Sequence, residues 1–513
     1  MNRSGCRDHD QGESISAALA DNLERMRAAL SGSDDIIVDH WGYGPGQEHA
    51  AFSAYCHTLV DEFSNHYMKT TLQDLVNHEL GRAETVTPEQ VRDFFGSGGV
   101  SLQPFSLLDK MDQAIGKILD GDVVLFFDEW DRALSFPAKN VPQRQVSESI
   151  SEPSVQGPRE GTIENLRGNL GMIRQRVKSP RLNIRYIVAG SELQTTIAYA
   201  YLEHAVNPNV LEAFLERIRG IERYEVPETS YVEDWIEDDS YSPFPQYRYT
   251  ERTDTAAAAL LEGKILVLVS NSPMILICPA VFVDFFSTSE DYYGRTVISS
   301  LIRLLRLLAF IIALTLPSAY VALSTFHPEL IPTVLLLAIL DTREGIPFPA
   351  FFEALVMEIS FELLREAGIR LPRPVGSAVS IVGALVIGQA AITAQIASPI
   401  MVIVVALTGI ASFAIPHYEM GIALRIVRFP LMVAAGLLGG FGIMLVSLLT
   451  LLHLTRLHTL GQPYLSSLAP FKPRTMRDLF VRAPLKVFLR SPRNRRLLRH
   501  RRGEFRSEGD PAK

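Results

Sequence analysis

Between residues 307 and 453 the chain carries four long apolar runs, and these constrain its fold more than any other feature. The first, 307–325, has 19 residues without a charge, enough helix to cross the ~30 Å of hydrocarbon in a bilayer. Runs at 377–397 and 400–415 follow, joined only through Ser398-Pro399, and 430–452 makes the fourth. In lipid every backbone N–H and C=O must be satisfied within the protein, so each run is expected to be helical. The run 331–340 is too short to span and is expected to be re-entrant or interfacial. Arg295, Arg303 and Arg306 stand before or at the start of the first run, and a strongly basic tail follows the last. Basic flanks stay on the cytoplasmic side, so both termini are expected there, which requires an even number of spans. Four meets that condition, with five as the alternative. Four spans put Arg425 and Arg428 in an outer loop, where they would snorkel or sit in a subunit interface.

The tail, 454–513, holds fifteen Lys and Arg against four acids, about +11; the whole chain is −8, which leaves the remainder near −19. A basic tail directly after an apolar run suits an anionic membrane surface better than nucleic acid, so membrane lipids are expected as a partner and nucleic acid is not. Three scattered cysteines, Cys6, Cys56 and Cys278, predict neither a disulfide framework nor a metal cluster, and fit a reducing compartment. The opening MNRSGCRDHDQGES has no apolar core and predicts no cleavable signal peptide.

Upstream of the apolar runs the pattern reads as α/β in two parts. Residues 23–30 and 61–80 read as helices, the second amphipathic, and 122–128 (DVVLFFD) as a buried strand. The polar, proline-containing stretch 147–159 reads as a linker. A helix is expected to start near Thr162 as its N-cap, with Ile163, Leu166, Leu170 and Ile173 along one stripe. Residues 182–189 and 195–202 read as paired strands, 209–219 as a helix, and 264–270 with 274–277 as a closing hairpin. The expected fold class is an α/β cytoplasmic N-terminal region of two small subdomains followed by an all-α multi-pass transmembrane domain. The first subdomain takes 1–150, and the linker with the second subdomain 151–295. The transmembrane domain of about four spans takes 296–455 and the basic cytoplasmic tail 456–513. No internal repeat is detectable.

No signature of bond-making chemistry is present: no GxxxxGK[ST] phosphate loop, no HExxH, no CxxC and no GxSxG. No catalytic residue, cofactor or metal is therefore expected, and Gly96-Ser97-Gly98-Gly99 reads as a turn. Polar residues inside the apolar runs say more. In the second run, Val382, Val386, Gln389 and Thr393 form one helical stripe, and Ser377, Ala384, Gly388, Ala391 and Gln395 another. Such faces could line a narrow water-filled path in an oligomer, or pack tightly against another helix. Val382, Val386, Gln389, Thr393 and Gln395 are the pore-lining candidates. The segment 349–368 opens on proline and closes on glycine, as a helix does. Its Glu358, Glu362 and Glu366 fall at i, i+4 and i+8, a face that could attract cations or simply be solvated. Gly436 and Gly440 form a GxxxG in the fourth run, expected as a helix-packing contact.

Longer segments carry a family resemblance. In the first part these are GPREG at 157–161, ENLRGN at 164–169, DWIEDDSYSPFPQ at 234–246, TER at 250–252 and AALLEGKILVLV at 258–269. Then come EDYYGR at 290–295, TFHPELIP at 325–332, REGIPFPAFFEAL at 343–355 and LREAGIRLPRPVG at 364–376. SIVGALVIGQAA at 380–391 and SPIMVIVVALTGIASF at 398–413 close the series. Together they resemble the GerA family of spore germination proteins, the A-type subunits of nutrient-germinant receptors and their paralogue SpoVAF. The resemblance covers roughly 121–490. It implies a multi-pass protein of the spore inner membrane, beside a transporter-like B-type subunit that binds the germinant and a C-type lipoprotein subunit. It also implies a homo-oligomer, a pentameric ring, whose helices surround an ion path that opens to trigger germination. Cys56-His57-Thr58-Leu59 stands where the family has an Asp-Gly-Leu element, and VSNSP at 269–273 lacks the family's Asp-Gly turn. A SpoVAF-like accessory protein is the alternative within the family. A small-solute secondary transporter is the alternative outside it, and the few spans without a repeat argue against that.

Overall fold

The structure, a computed structural model, describes residues 13–30, 32–43, 49–60, 105–140 and 156–466, together with 89, 92, 152, 468, 469 and 482. It divides into two compact units, Met1–Ile236 with Tyr249–Cys278, and Glu237–Arg248 with Pro279–Lys513. The helix expected at 61–80, the turn at 96–99 and most of the linker at 147–159 lie outside the described residues.

The first unit is α/β, as its sequence pattern predicts. It opens with α1 (Leu19–Leu30), followed by β1 (Ile36–Tyr43), β2 (His49–Cys56) and β3 (Ser106–Leu108), then α2 (Met111–Asp120), β4 (Asp122–Phe127) and β5 (Ala133–Pro137). Next come α3 (Leu166–Arg176), β6 (Leu182–Ala189), β7 (Thr195–Leu202), α4 (Pro208–Ile218) and α5 (Thr229–Ile236). It closes with β8 (Arg248–Thr250), α6 (Thr253–Leu261), β9 (Ile265–Val269) and β10 (Ile275–Cys278). The apolar strands β4 and β9 are buried at every residue, and each is the central strand of its five-stranded sheet.

The two sheets have the same strand order: β6-β7-β9-β10-β8 repeats β1-β2-β4-β5-β3. Finer detail repeats too. The Asn22 side chain accepts from Ser16 N at 2.8 Å and donates to the Ser16 carbonyl; Asn169 does the same at Ile163, accepting at 2.8 Å. Ile15 N donates to the Asp109 carbonyl, and Thr162 N to that of Glu251. Gly121 (φ +97) and Gly263 (φ +84) each take the left-handed turn between a helix and the following interior strand. The first unit is therefore a tandem structural duplication, which the sequence did not reveal. Thr162 is not the N-cap of α3. That role belongs to Asn165, whose side chain accepts from Gly168 N, while the Thr162 hydroxyl donates to the carbonyl of Glu251.

The second unit is helical: α7 (Thr296–Thr325), α8 (Thr333–Arg343), α9 (Ala350–Arg370), α10 (Arg373–Thr393), α11 (Pro399–Phe413), α12 (Tyr418–Leu438) and α13 (Gly440–Arg456). Two of these, α7 and α12, are long and apolar enough to cross a membrane; shorter apolar helices lie at Val382–Thr393, Pro399–Phe413 and Gly440–Arg456. Small residues bring the helices close, Ala309 and Ala313 of α7 meeting Ala411 of α11. A second core joins Val321 and Ala322 to Ala354, Met357, Met401, Val405, Met432 and Ala435.

Two expectations are revised here. The run 430–452 is not one helix, because the chain turns at Gly439 between α12 and α13. Gly439 has φ +62, and a Cβ there would stand 2.8 Å from that of Phe326, so a side chain is excluded twice over. Arg425 and Arg428 do not lie in a loop but within α12.

Candidate functional site

The pore-lining candidates separate in the structure. Val382 (57% exposed) and Val386 (58%) stand on the outer side of α10, and Gln389 and Thr393 are exposed with them. Thr393 Oγ1 donates back to the Gln389 carbonyl at 2.8 Å, as hydroxyls within helices do. Gly388 and Ala391 are buried, and a Cβ on Gly388 would meet Val402 of α11 at 3.4 Å. Gln395 is not on this helix. It follows the end of α10 with φ +55, its amide nitrogen 2.8 Å from where a Cβ on Gly345 would stand. The GxxxG pair separates as well. Gly436 lies under Phe351 of α9, whereas Gly440 begins α13 and donates its N–H to His327 Nε2 at 3.3 Å.

The three glutamates of α9 differ in surroundings. Glu358 Oε2 accepts from Arg428 Nη1 at 2.7 Å, and both side chains are 2% exposed. Glu362 Oε2 accepts from Arg425 Nη1 at 2.8 Å, with Arg365 Nη1 3.6 Å from Oε1. Arg365 also donates to Ser412 Oγ and lies 4.5 Å over the Phe413 ring. Glu366 pairs with Arg370 at the exposed end of the helix. Five residues before Glu358, the buried Glu353 pairs with Arg343 at 3.1 Å and accepts from Ser398 N at 3.0 Å. Sequence reasoning missed these partners. The signal was present: arginines three apart on one apolar helix, and glutamates four apart on another, each form a one-sided stripe of opposite sign.

In the first unit a buried polar cluster joins the two repeats. Arg174 of α3 donates from Nε to Asp35 Oδ2 at 3.0 Å and from Nη2 to Oδ1 at 2.7 Å; Nη2 also reaches Ser33 Oγ at 2.8 Å. The Cys56 thiol lies 3.2 Å from Asp35 Oδ2 and 3.1 Å from Thr58 Oγ1. Burial alone would raise the Asp35 carboxyl, but the Arg174 charge and hydrogen bonds from Arg174, Ser33 and Cys56 hold it below its usual value. Burial, then the Asp35 charge, push the Cys56 thiol up to about 12. Arg167 adds a bond to the His57 carbonyl at 2.9 Å. The departure at 56–59 thus lies where the repeats meet. Among the described residues no group of three or more His, Cys, Asp or Glu is placed to hold a metal ion.

The family model for the Bacillus/Clostridium GerA spore germination protein matches residues 24–494. The chain is 41% identical over 485 residues to the uncharacterized membrane protein YfkQ of Bacillus subtilis (strain 168), which spans 94% of this chain and 92% of that one. To spore germination protein KA of the same organism it is 40% identical, over 92% of this chain and 85% of the relative. To spore germination protein A1 it is 35% identical, over 91% and 94%. The solved N-terminal domain of the A subunit of the Bacillus megaterium spore germinant receptor GerK3 aligns with a TM-score of 0.40 at 25% identity, over 53% of this chain and 98% of that chain.

Proposed function

Because the chain belongs to the GerA family of spore germination proteins, we propose that it is the A-type subunit of a nutrient-germinant receptor and not an enzyme. It sits in the spore inner membrane as a multi-pass protein with both termini cytoplasmic. It works beside a transporter-like B-type subunit and a C-type lipoprotein. Copies of the chain form a ring, pentameric as the resemblance implies, around a path for ions that opens to trigger germination.

One observation carries this reading. The outer side of α10 exposes Gln389 and Thr393 in line with Val382 and Val386. An amide facing lipid is costly, and the cost falls if it meets water or its own copy around an axis. Val386, close to one turn from Gln389, then forms an apolar constriction that blocks ions by dewetting. Gln395 lies near the mouth of the path rather than along it. Of the three glutamates, Glu366 is favoured for attracting cations because its pair with Arg370 is solvent-exposed, whereas Glu358 and Glu362 are held by buried or half-buried arginines.

The test is reconstitution of the full chain into liposomes, with monovalent-cation flux and oligomer mass measured together. Flux from a defined oligomer supports the reading; a monomer without flux overturns it. Genes for B- and C-type subunits beside this one would mark a receptor, and a SpoVA-type cluster would mark the accessory role instead.

A further inference from the structure

A proline inside a helix has no N–H to offer the carbonyl four residues earlier. Pro317 lies inside α7, so the Ala313 carbonyl loses its helical partner. That carbonyl accepts instead from Arg428 Nε of α12, at 2.8 Å. The same guanidinium holds Glu358 of α9, so one buried side chain ties three helices together. Glu358 Oε1 and Arg428 Nη2 are both buried without a hydrogen-bond partner.

What holds α9 in place is unusually polar. Its buried residues are Ala350, Glu353, Ala354, Met357 and Glu358, two of the five being ion-paired glutamates. Apolar contact between helices has little net advantage in lipid, whose tails are as apolar as leucine. The Glu358–Arg428 pair therefore decides whether α9 stays against α7 and α12. A shift of α9 would carry α10 with it, because Leu364 of α9 fills the space above Gly383 of α10.

We infer that Arg428 is a releasable latch. It holds α9 and α10 in the closed arrangement by bridging the proline-freed carbonyl of α7 to Glu358, and its release is the step that opens the ion path. This inference rests on the channel reading above.

Pro317→Ala tests it without deleting a charge. The variant returns to α7 its own N–H for Ala313 and so competes with Arg428, and it is not expected to lower the unfolding temperature. In the full chain in liposomes, and in dormant spores, spontaneous cation release should rise about tenfold, the factor for losing one hydrogen bond to a charged group. Arg428→Lys keeps a charge beside Glu358 but cannot span both acceptors, and it should leak similarly. The double variant should release no more than either single one, since both break the same bond. Unchanged release from Pro317→Ala at normal abundance overturns the latch, and it decides alone if Arg428→Lys fails to accumulate. Val386→Ala in parallel separates the two readings. If it leaks while the latch variants do not, the channel stands and the latch falls; if none leaks, the channel reading falls and takes the latch with it.

Discussion

Arg174 and Asp35 are both buried, 1% and 0% exposed, and either one would be costly there alone. Arg174→Met removes the partner and leaves a carboxylate in the interior, a change that costs about 3–5 kcal/mol. Hydrogen exchange at the amides of β1 and α3 in the full chain should show the loss, and unchanged protection there would refute it. The sign of the pH dependence follows from Asp35, whose carboxyl is held below its usual value in the fold. A lowered carboxyl contributes stability above its unfolded value, about 3.9, and loses that contribution as pH falls through the lower folded value. In Arg174→Met burial acts on Asp35 without the Arg174 charge and raises its carboxyl. The difference between wild type and variant should therefore be largest at high pH and shrink as pH falls through that raised value, above the unfolded one of about 3.9. A difference that stays flat down to about pH 4 would assign the effect to another group. None of this was legible in the sequence. Asp35 and Arg174 are 139 residues apart, and nothing local to either marks it as buried.

At the scale of elements, legibility follows how local the signal is. The pairing of β6 with β7 was readable because two β-rich runs flank a short turn, and β4 because its apolar residues are continuous. The break between α12 and α13 was not, since 430–452 stays apolar throughout and only the conformation of Gly439 divides it. Gly439→Ala would place a Cβ against Phe326 in a backbone conformation that alanine avoids. It should lower subunit abundance without an ion leak, and normal abundance would show that the turn tolerates a side chain. Val386→Ala should do the opposite: widen and wet the constriction, leak cations and cause germination without nutrient, at normal abundance. Leu448→Ala on α13, a site half exposed at 52%, should lower abundance and give no leak. If Val386→Ala changes neither conductance nor spontaneous germination, the outer face of α10 is a packing surface. The face itself was legible as a helical stripe, whereas Gln395, expected on the companion stripe with Gly388 and Ala391, is taken off the helix by the end of α10.

Taken whole, the molecule joins a duplicated α/β unit to a helical one, and its sidedness is the property its charges bear on most directly. Arginines 295, 303 and 306 flank or open α7, and two of them are already tied to Asp291, Arg303 at 3.0 Å and Arg306 at 2.9 Å. By the positive-inside rule this anchored basic group, with the basic tail beyond α13, predicts both ends of the chain on the cytoplasmic side and so an even number of crossings. Single-cysteine labelling tests this cleanly because Cys56 and Cys278 are buried. Burial also raises both thiols, Cys56 to about 12, which keeps the reactive thiolate scarce. With Cys6→Ser as background, Glu24→Cys on the exposed side of α1 and Ser507→Cys in the tail report the two ends. Neither should react with a membrane-impermeant maleimide in intact cells, and both should react once the membrane is opened. Labelling of the tail position alone would mean an odd number of crossings and would make five spans the better count. Labelling of both would reverse the orientation and put the duplicated unit outside. The arginines before α7 could not then be its cytoplasmic anchor, and Asp291 would be pairing them for packing alone.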